Sequence, residues 1–206
     1  MGLRDLRTRR FWLMMLALVI MSAGIALFRL ARLGNDPFTG MCFAISDRHG
    51  FSLGSVEMAV NGVLFALMLV TLRRRIGWGT LFNAFGIGYA VEFFAHRFES
   101  LYQPAGLLPQ VVCCVVALLI TCLGCSMYMA ADLGIAPYDA TALALEQYTP
   151  MKFFLCRMIT DAVCVLVCWQ QGGILGLGTI LAAFCMGPFI SMFDRLVSEP
   201  LFRNCR

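Results

Sequence analysis

The sequence predicts an all-α integral membrane protein. About six transmembrane helices form two inverted three-helix repeats, each holding a short re-entrant half-helix. Three observations carry this prediction. Apolar residues gather into six runs that meet the length a crossing needs, about 17 to 25 residues. Only 14% of the 206 residues are charged, where a water-soluble domain carries about 25%. Finally, the stretch RLARLGNDPFTGM at 29–41 is rewritten as MAADLGIAPYDAT at 129–141, each time at the end of an apolar run.

The first run, 11–30, follows Arg4, Arg7, Arg9 and Arg10. Its charged start and apolar body resemble a signal peptide, but the apolar run reaches Leu30 and no small-x-small cleavage site follows. It reads as an uncleaved signal-anchor helix. The opening MGLRDL lacks the Ser or Thr of a myristoylation motif. Residues 36–45 offer about half the apolar length of a crossing and read as the first re-entrant element. Spans at 56–72 and 76–94 complete a first repeat over residues 1–100. The second repeat, 101–206, has spans at 107–131, 153–169 and 173–193 and a re-entrant element at 137–148, and a loop around 99–109 joins the two.

The repeats align in one register. Gly24, Phe28, Leu33, Gly34, Pro37 and Phe38 meet Gly124, Tyr128, Leu133, Gly134, Pro137 and Tyr138. Met58 and Asn61 meet Met158 and Asp161. One deleted residue later, GWGT at 77–80 meets GLGT at 176–179, and Phe85, Gly88 and Phe94 meet Phe184, Gly187 and Phe193. So ordered a series is an internal duplication. Three spans per half, an odd number, make the repeats inverted.

Fifteen arginines and one lysine set the orientation by the positive-inside rule. With re-entrant short elements and a cytoplasmic N-terminus, Arg4, Arg7, Arg9, Arg10, Arg73, Arg74, Arg75, Lys152, Arg157, Arg195, Arg203 and Arg206 fall inside. Arg29, Arg32, Arg48 and Arg97 do not. If the short elements crossed fully, Arg48 and Arg97 would move inside and Arg73–Arg75 outside. Charge separates these topologies little, and length favours the first. Both termini are then cytoplasmic, in the inner membrane. No basic face on a soluble domain points to nucleic acid.

Of the ten cysteines, Cys113, Cys114, Cys122, Cys125, Cys164, Cys168 and Cys185 sit inside apolar runs, where cysteine acts as a small hydrophobe. Cys122 and Cys125 form a CxxC, but mid-span rather than at an exposed helix N-terminus, and no metal-ligand spacing surrounds them. No metal or cofactor is expected.

Broken helices inside a bilayer need protein or a water-filled cavity to satisfy the freed backbone groups. In inverted-repeat carriers such breaks form the binding site near the midplane. Here Leu33-Gly34 ends one helix, with Gly34 as a left-handed cap. Pro37 suits the first position of a new helix, and Asp36 is its N-cap. Gly134 and Pro137 repeat the stop and start, and Asp139 falls in the first turn.

LGNDPFTG, LGIAPYDA and the paired GxGT elements resemble the bacterial YczE/YitT-type membrane proteins, in particular the YczE-like branch. That family's hallmark is leucine-glycine-x-x-proline-aromatic-aspartate followed by a glycine-rich GT element. The likeness covers almost the whole chain; it implies the architecture and suggests transport. Thr39 stands where the second half has Asp139, so the first motif departs from the pattern unless Asp36 serves instead.

The candidate substrate-binding residues are Asp36, Pro37, Thr39, Pro137, Tyr138, Asp139, Thr80 and Thr179. Asp36 and Asp139 read equally as solute- or cation-binding carboxylates and as helix-capping acids. Thr80 and Thr179 open the third span of each half, where free amides can hold an anion; close packing through glycine explains the motif as well. Asn61, Asp161, Arg157 and Asp132 are candidates for a polar pathway. Arg157 and Asp161 stand at i,i+4 and are expected to neutralise each other. Arg29 and Arg32 are expected to snorkel.

The leading expectation is a small secondary transporter that moves a small polar or charged solute by alternating access; its acids point to an organic cation, a zwitterion, or coupling to H⁺ or Na⁺, and a homodimer is the assembly that would close its cavity. The alternative is a non-transporting accessory subunit. A membrane enzyme comes third, because no nucleophile–base pair or metal cluster is visible.

Overall fold

The computed structural model describes residues 9–203. Arg4, Arg7, Arg206 and the MGLRDL start lie outside the described residues. Every regular element is helical: α1 (Arg9–Ala31), α2 (Pro37–His49), α3 (Leu53–Thr71), α4 (Trp78–Leu101), α5 (Leu107–Ala131), α6 (Pro137–Tyr148), α7 (Phe153–Gln170), α8 (Leu177–Phe193) and α9 (Glu199–Arg203). A 3₁₀ turn, Arg73–Arg75, joins α3 to α4, and a π-helical turn, Asp194–Ser198, joins α8 to α9. Four stretches are long and apolar enough to cross a membrane: α1, α3, α5 and Leu177–Arg203. The predicted spans at 76–94 and 153–169 are helical, but α4 and α7 fall outside that set. The protein is a helical membrane protein.

α1 and α5 form the central pair. Gly24 lies against Thr121, and Gly124 against Met21 and Ala17; a Cβ on Gly124 would come within 2.6 Å of the Met21 backbone. Cys113 Sγ approaches the Leu27 carbonyl at 3.5 Å. Rising numbers on α1 thus meet falling numbers on α5, so the helices run antiparallel. Glycine at both contacts lets the backbones approach where helix association in lipid depends on close packing. α4 lies along α1 and α8 along α5, while α2 rests mainly on α7 and α6 sits between α3 and α7.

The antiparallel pair puts the two breaks at opposite ends of the bundle. At the first-break end, Arg29 of α1 reaches Asp47 of α2 at 3.1 Å and Glu99 of α4 at 3.3 Å. Arg48 of α2 donates to the Gln170 carbonyl at 2.7 Å. α2 therefore ends where α1 ended, yet its first turn meets the first turn of α6 in the interior. At the second-break end, α4 starts beside Leu133.

Each break is clasped by the other half of the chain. Gly178 N–H donates to the Leu33 carbonyl at 2.7 Å, and Gly79 N–H to the Leu133 carbonyl at 2.8 Å. The sequence places the left-handed cap at Gly34, and the structure corrects this. α1 ends at Ala31 and Arg32 takes the left-handed conformation (φ 54), as Asp132 does after α5 (φ 53). Gly34 and Gly134 also have positive φ, but a further reason reserves these positions for glycine. A Cβ on Gly134 would come within 2.7 Å of Gly77 N, so only glycine lets the clasp close.

The two halves differ in one seam. α3 packs closely on α4, with Gly88 against Glu57 and Gly54 against Tyr89. The corresponding helices α7 and α8 make almost no contact, and nothing approaches the Gly187 position within 4 Å.

Candidate functional site

Asp36 caps α2 by accepting from Thr39 N–H at 3.0 Å, and Pro37 is the first helical residue. This is the capping expected of it. Pro137 likewise opens α6, but the N-cap there is Ala136, with no side-chain cap. The second half has therefore moved its acid from before the proline to the first turn, where Asp139 is free to do something else.

That something is Arg157. Its guanidinium donates to Asp139 and lies 3.3 Å from Asp161. It also covers the Tyr138 ring at 4.5 Å from the ring centre, while Tyr138 Oη donates to Asp161. Across from it, Phe38 stacks on Tyr138 at 4.7 Å. Asp36 lies within electrostatic range of Arg157 and Asp161. The first turns of α2 and α6, with α7 behind them, thus form one central cluster that holds Asp36, Tyr138, Asp139, Arg157 and Asp161.

Two carboxylates on one guanidinium make a compact charged group in an apolar bundle. The side chains of Asp139 and Arg157 are each 34% exposed. This exposure does not face the outer surface of α7. Arg157 and Asp161 share the helix face of the buried Cys164 and Cys168, opposite the exposed Met158, Val163 and Leu166. The charged group therefore sits on the packed face of α7.

The remaining predicted residues lie elsewhere. Thr80 and Thr179 stand at the two clasps; Thr80 Oγ1 accepts from Gly77 N–H at 3.2 Å, and Thr179 Oγ1 is buried without a partner among the described residues. Asp132 borders a hollow of about 250 Å³ at the second-break end with Arg74 and Arg75. Asn61 is buried in α3. The cysteines Cys42, Cys113, Cys114, Cys122, Cys125, Cys156, Cys164, Cys168 and Cys185 are all unpaired.

Sequence reasoning missed two features. Glu57 is 2% exposed, and its Oε2 has no hydrogen-bond partner among the described residues. The signal was available, since an acid inside a predicted span stands out and its counterpart in the second half is Arg157. The second feature is a cavity of about 420 Å³ beside the first break, between α1, α2 and the segment after α7. It joins residues too distant in sequence for any pattern to link.

Residues 8–195 match the model of DUF6198, described as a family of unknown function. Among curated relatives, an uncharacterized protein of Haemophilus influenzae is 27% identical over 189 residues, 91% of this chain and 84% of the relative. The uncharacterized protein YyaS of Bacillus subtilis is 22% identical over 89% of this chain and 92% of its own length. The uncharacterized membrane protein YczE of the same organism is 22% identical over 82% and 78%. No solved structure matches.

Proposed function

We propose, for a chain that belongs to the DUF6198 family, that it is a small secondary transporter moving a small polar or charged solute by alternating access. Its solute site is the central cluster between the two broken-helix motifs. One observation carries the reading: the first turns of α2 and α6 meet tip to tip through Phe38 and Tyr138, beside a charged group on the packed face of α7. Intramembrane charges mark solute and ion pathways, and discontinuous helices meeting inside a bundle are where carriers build their sites.

In this reading α4 and α7 also cross the membrane, α2 and α6 are re-entrant, and the halves are inverted repeats. The antiparallel α1–α5 pair and the reciprocal clasps support that arrangement. Both termini are cytoplasmic, with Arg73–Arg75 on the same side. The open α7–α8 seam beside the closed α3–α4 seam fits one of the two states a rocking carrier visits. A homodimer would cover the open seam. A monodisperse monomer that transports in liposomes would remove that part of the proposal.

The experiment is a ligand-stabilisation screen on the purified protein in detergent, with amino acids, polyamines, organic acids, nucleosides and monovalent ions. A ligand at about 100 times its Kd adds roughly 2.7 kcal/mol to the folded state. A hit that disappears in Asp139→Asn supports the central site. A well-folded sample that answers nothing favours an accessory subunit. The partial neutralisation of Asp139 and Asp161 by Arg157 suits that second reading.

A further inference from the structure

The cavity at the first-break end plays no part in the site proposed above, and its chemistry is one-sided. Arg29, Arg32 and Arg48 line it, with Asp47 as the one acid among the lining residues. Arg29 is held by Asp47 and Glu99, and Arg48 by the Gln170 carbonyl. These two cations are fixed in place. Arg32 is exposed, and its guanidinium makes no hydrogen bond or ion pair among the described residues.

Two residues of the same wall carry buried polar atoms without a partner among the described residues. Asn35 is 5% exposed; its Oδ1 accepts from Asp36 N–H at 2.9 Å, but Nδ2 has no partner among the described residues. Gln171 Oε1 is buried and equally unpartnered, and both residues line the cavity. A buried amide left unsatisfied is costly, so a ligand that reaches and satisfies both has a ready gain. Phe28, Phe43 and Ile174 supply apolar wall. The volume, about 420 Å³, lies in the range of small-molecule sites.

We propose that this cavity binds a small organic anion that also carries a hydrogen-bond donor, such as a hydroxy- or amino-carboxylate or a glycerol phosphate group. Arg32 and Asn35 Nδ2 hold the anion, the arginine through the forked geometry that suits carboxylate and phosphate. Gln171 Oε1 accepts from the ligand's hydroxyl or ammonium. The aromatic wall covers its carbon body. The same chemistry occurs in a free solute and in a lipid headgroup. This goes beyond the carrier reading, and rests on it only for what the binding is used for.

The test uses the full chain in an uncharged, lipid-free detergent. Lactate, serine and glycerol 3-phosphate are titrated as soluble probes. Propionate and ethanolamine serve as controls lacking the donor or the anion, and phosphatidylglycerol represents the headgroup. The probes carrying both groups should raise the unfolding temperature, propionate less, and ethanolamine not at all. Arg32→Gln should weaken binding about tenfold or more, the size of one charged hydrogen bond. Asn35→Ala should also weaken it, and because the variant loses the acceptor for Asp36 N–H its unliganded stability is measured alongside. A response to soluble probes assigns the site to a solute; a response to phosphatidylglycerol alone that Arg32→Gln abolishes assigns it to lipid. No response to any anion, or equal responses in wild type and both variants, overturns the inference. Binding without transport in vesicles would keep this site and remove the carrier.

Discussion

Phe38 and Tyr138 stack ring on ring at 4.7 Å with 28° between their planes, although a hundred positions separate them. Each is the second residue of a helix opened by proline, so the same local grammar, written twice, delivers the two rings to one place. The pair therefore reports directly on whether the two halves are docked.

A double-mutant cycle on this pair should show coupling. Phe38→Ala alone should cost about 3 to 5 kcal/mol, the range for a buried phenylalanine. Phe38→Ala with Tyr138→Ala should cost about 0.5 to 1.5 kcal/mol less than the sum of the singles. Unfolding in detergent with both singles and the double measures it. Strict additivity would mean that the rings do not meet.

The charged cluster predicts an order of damage. Arg157→Gln leaves two carboxylates without their cation, whereas Asp139→Asn leaves Arg157 still paired with Asp161. Because these side chains are about a third exposed, water screens much of the effect, and Asp139→Asn should cost only about 1 kcal/mol. Arg157→Gln should cost more. Thermal unfolding of both variants checks the order, and the reverse order would show that Arg157 is not the hub.

Glycines on a single helix should respond with opposite signs. A Cβ on Gly178 would strike the carbonyls of the first break, while Gly187 has nothing within 4 Å. Gly178→Ala should destabilise by more than 1 kcal/mol, as overpacking does. Gly187→Ala should be neutral or stabilising by up to about 1 kcal/mol, from helix propensity alone. Equal shifts in unfolding temperature would argue against the clasp.

Left-handed backbone at Arg32 and Asp132 carries a cost that glycine avoids, about 1 kcal/mol for a residue with a Cβ. Asp132→Gly should stabilise the protein by a few tenths of a kcal/mol, since aspartate tolerates this conformation better than most residues. Arg32→Gly should stabilise it more while weakening anion binding. Thermal unfolding and ligand titration on the same sample would show these two quantities moving apart.

Much of the architecture was legible because local rules wrote it. Proline at the first helical position, Asp36 as a cap and the spacing of apolar runs fix α2 and α6 without any knowledge of neighbours. The Arg157–Asp161 pair was legible for the same reason, since i,i+4 spacing is a property of one helix. Asp139 joining that pair was not, because α6 and α7 meet only in three dimensions. The GT elements were read as opening a helix, which they do. Their hold on the opposite break depends on antiparallel packing of α1 and α5, and no single-helix rule encodes that. The residue that takes the left-handed turn was misplaced by two positions, because glycine was demanded by contact at Gly34 rather than by the cap.

The reciprocal clasps also bear on the order in which this chain is made. The Leu33 carbonyl has left the ribosome long before its donor, Gly178, is translated. Through most of synthesis the first break is an unfinished joint, with a bare carbonyl that water or lipid-facing machinery must shelter. The second break has no such wait, because Gly79 precedes Leu133 and stands ready when that residue arrives. A chain stopped before residue 178 would therefore hold one sealed break and one open one, so completion of the last long helix is the step that closes the protein.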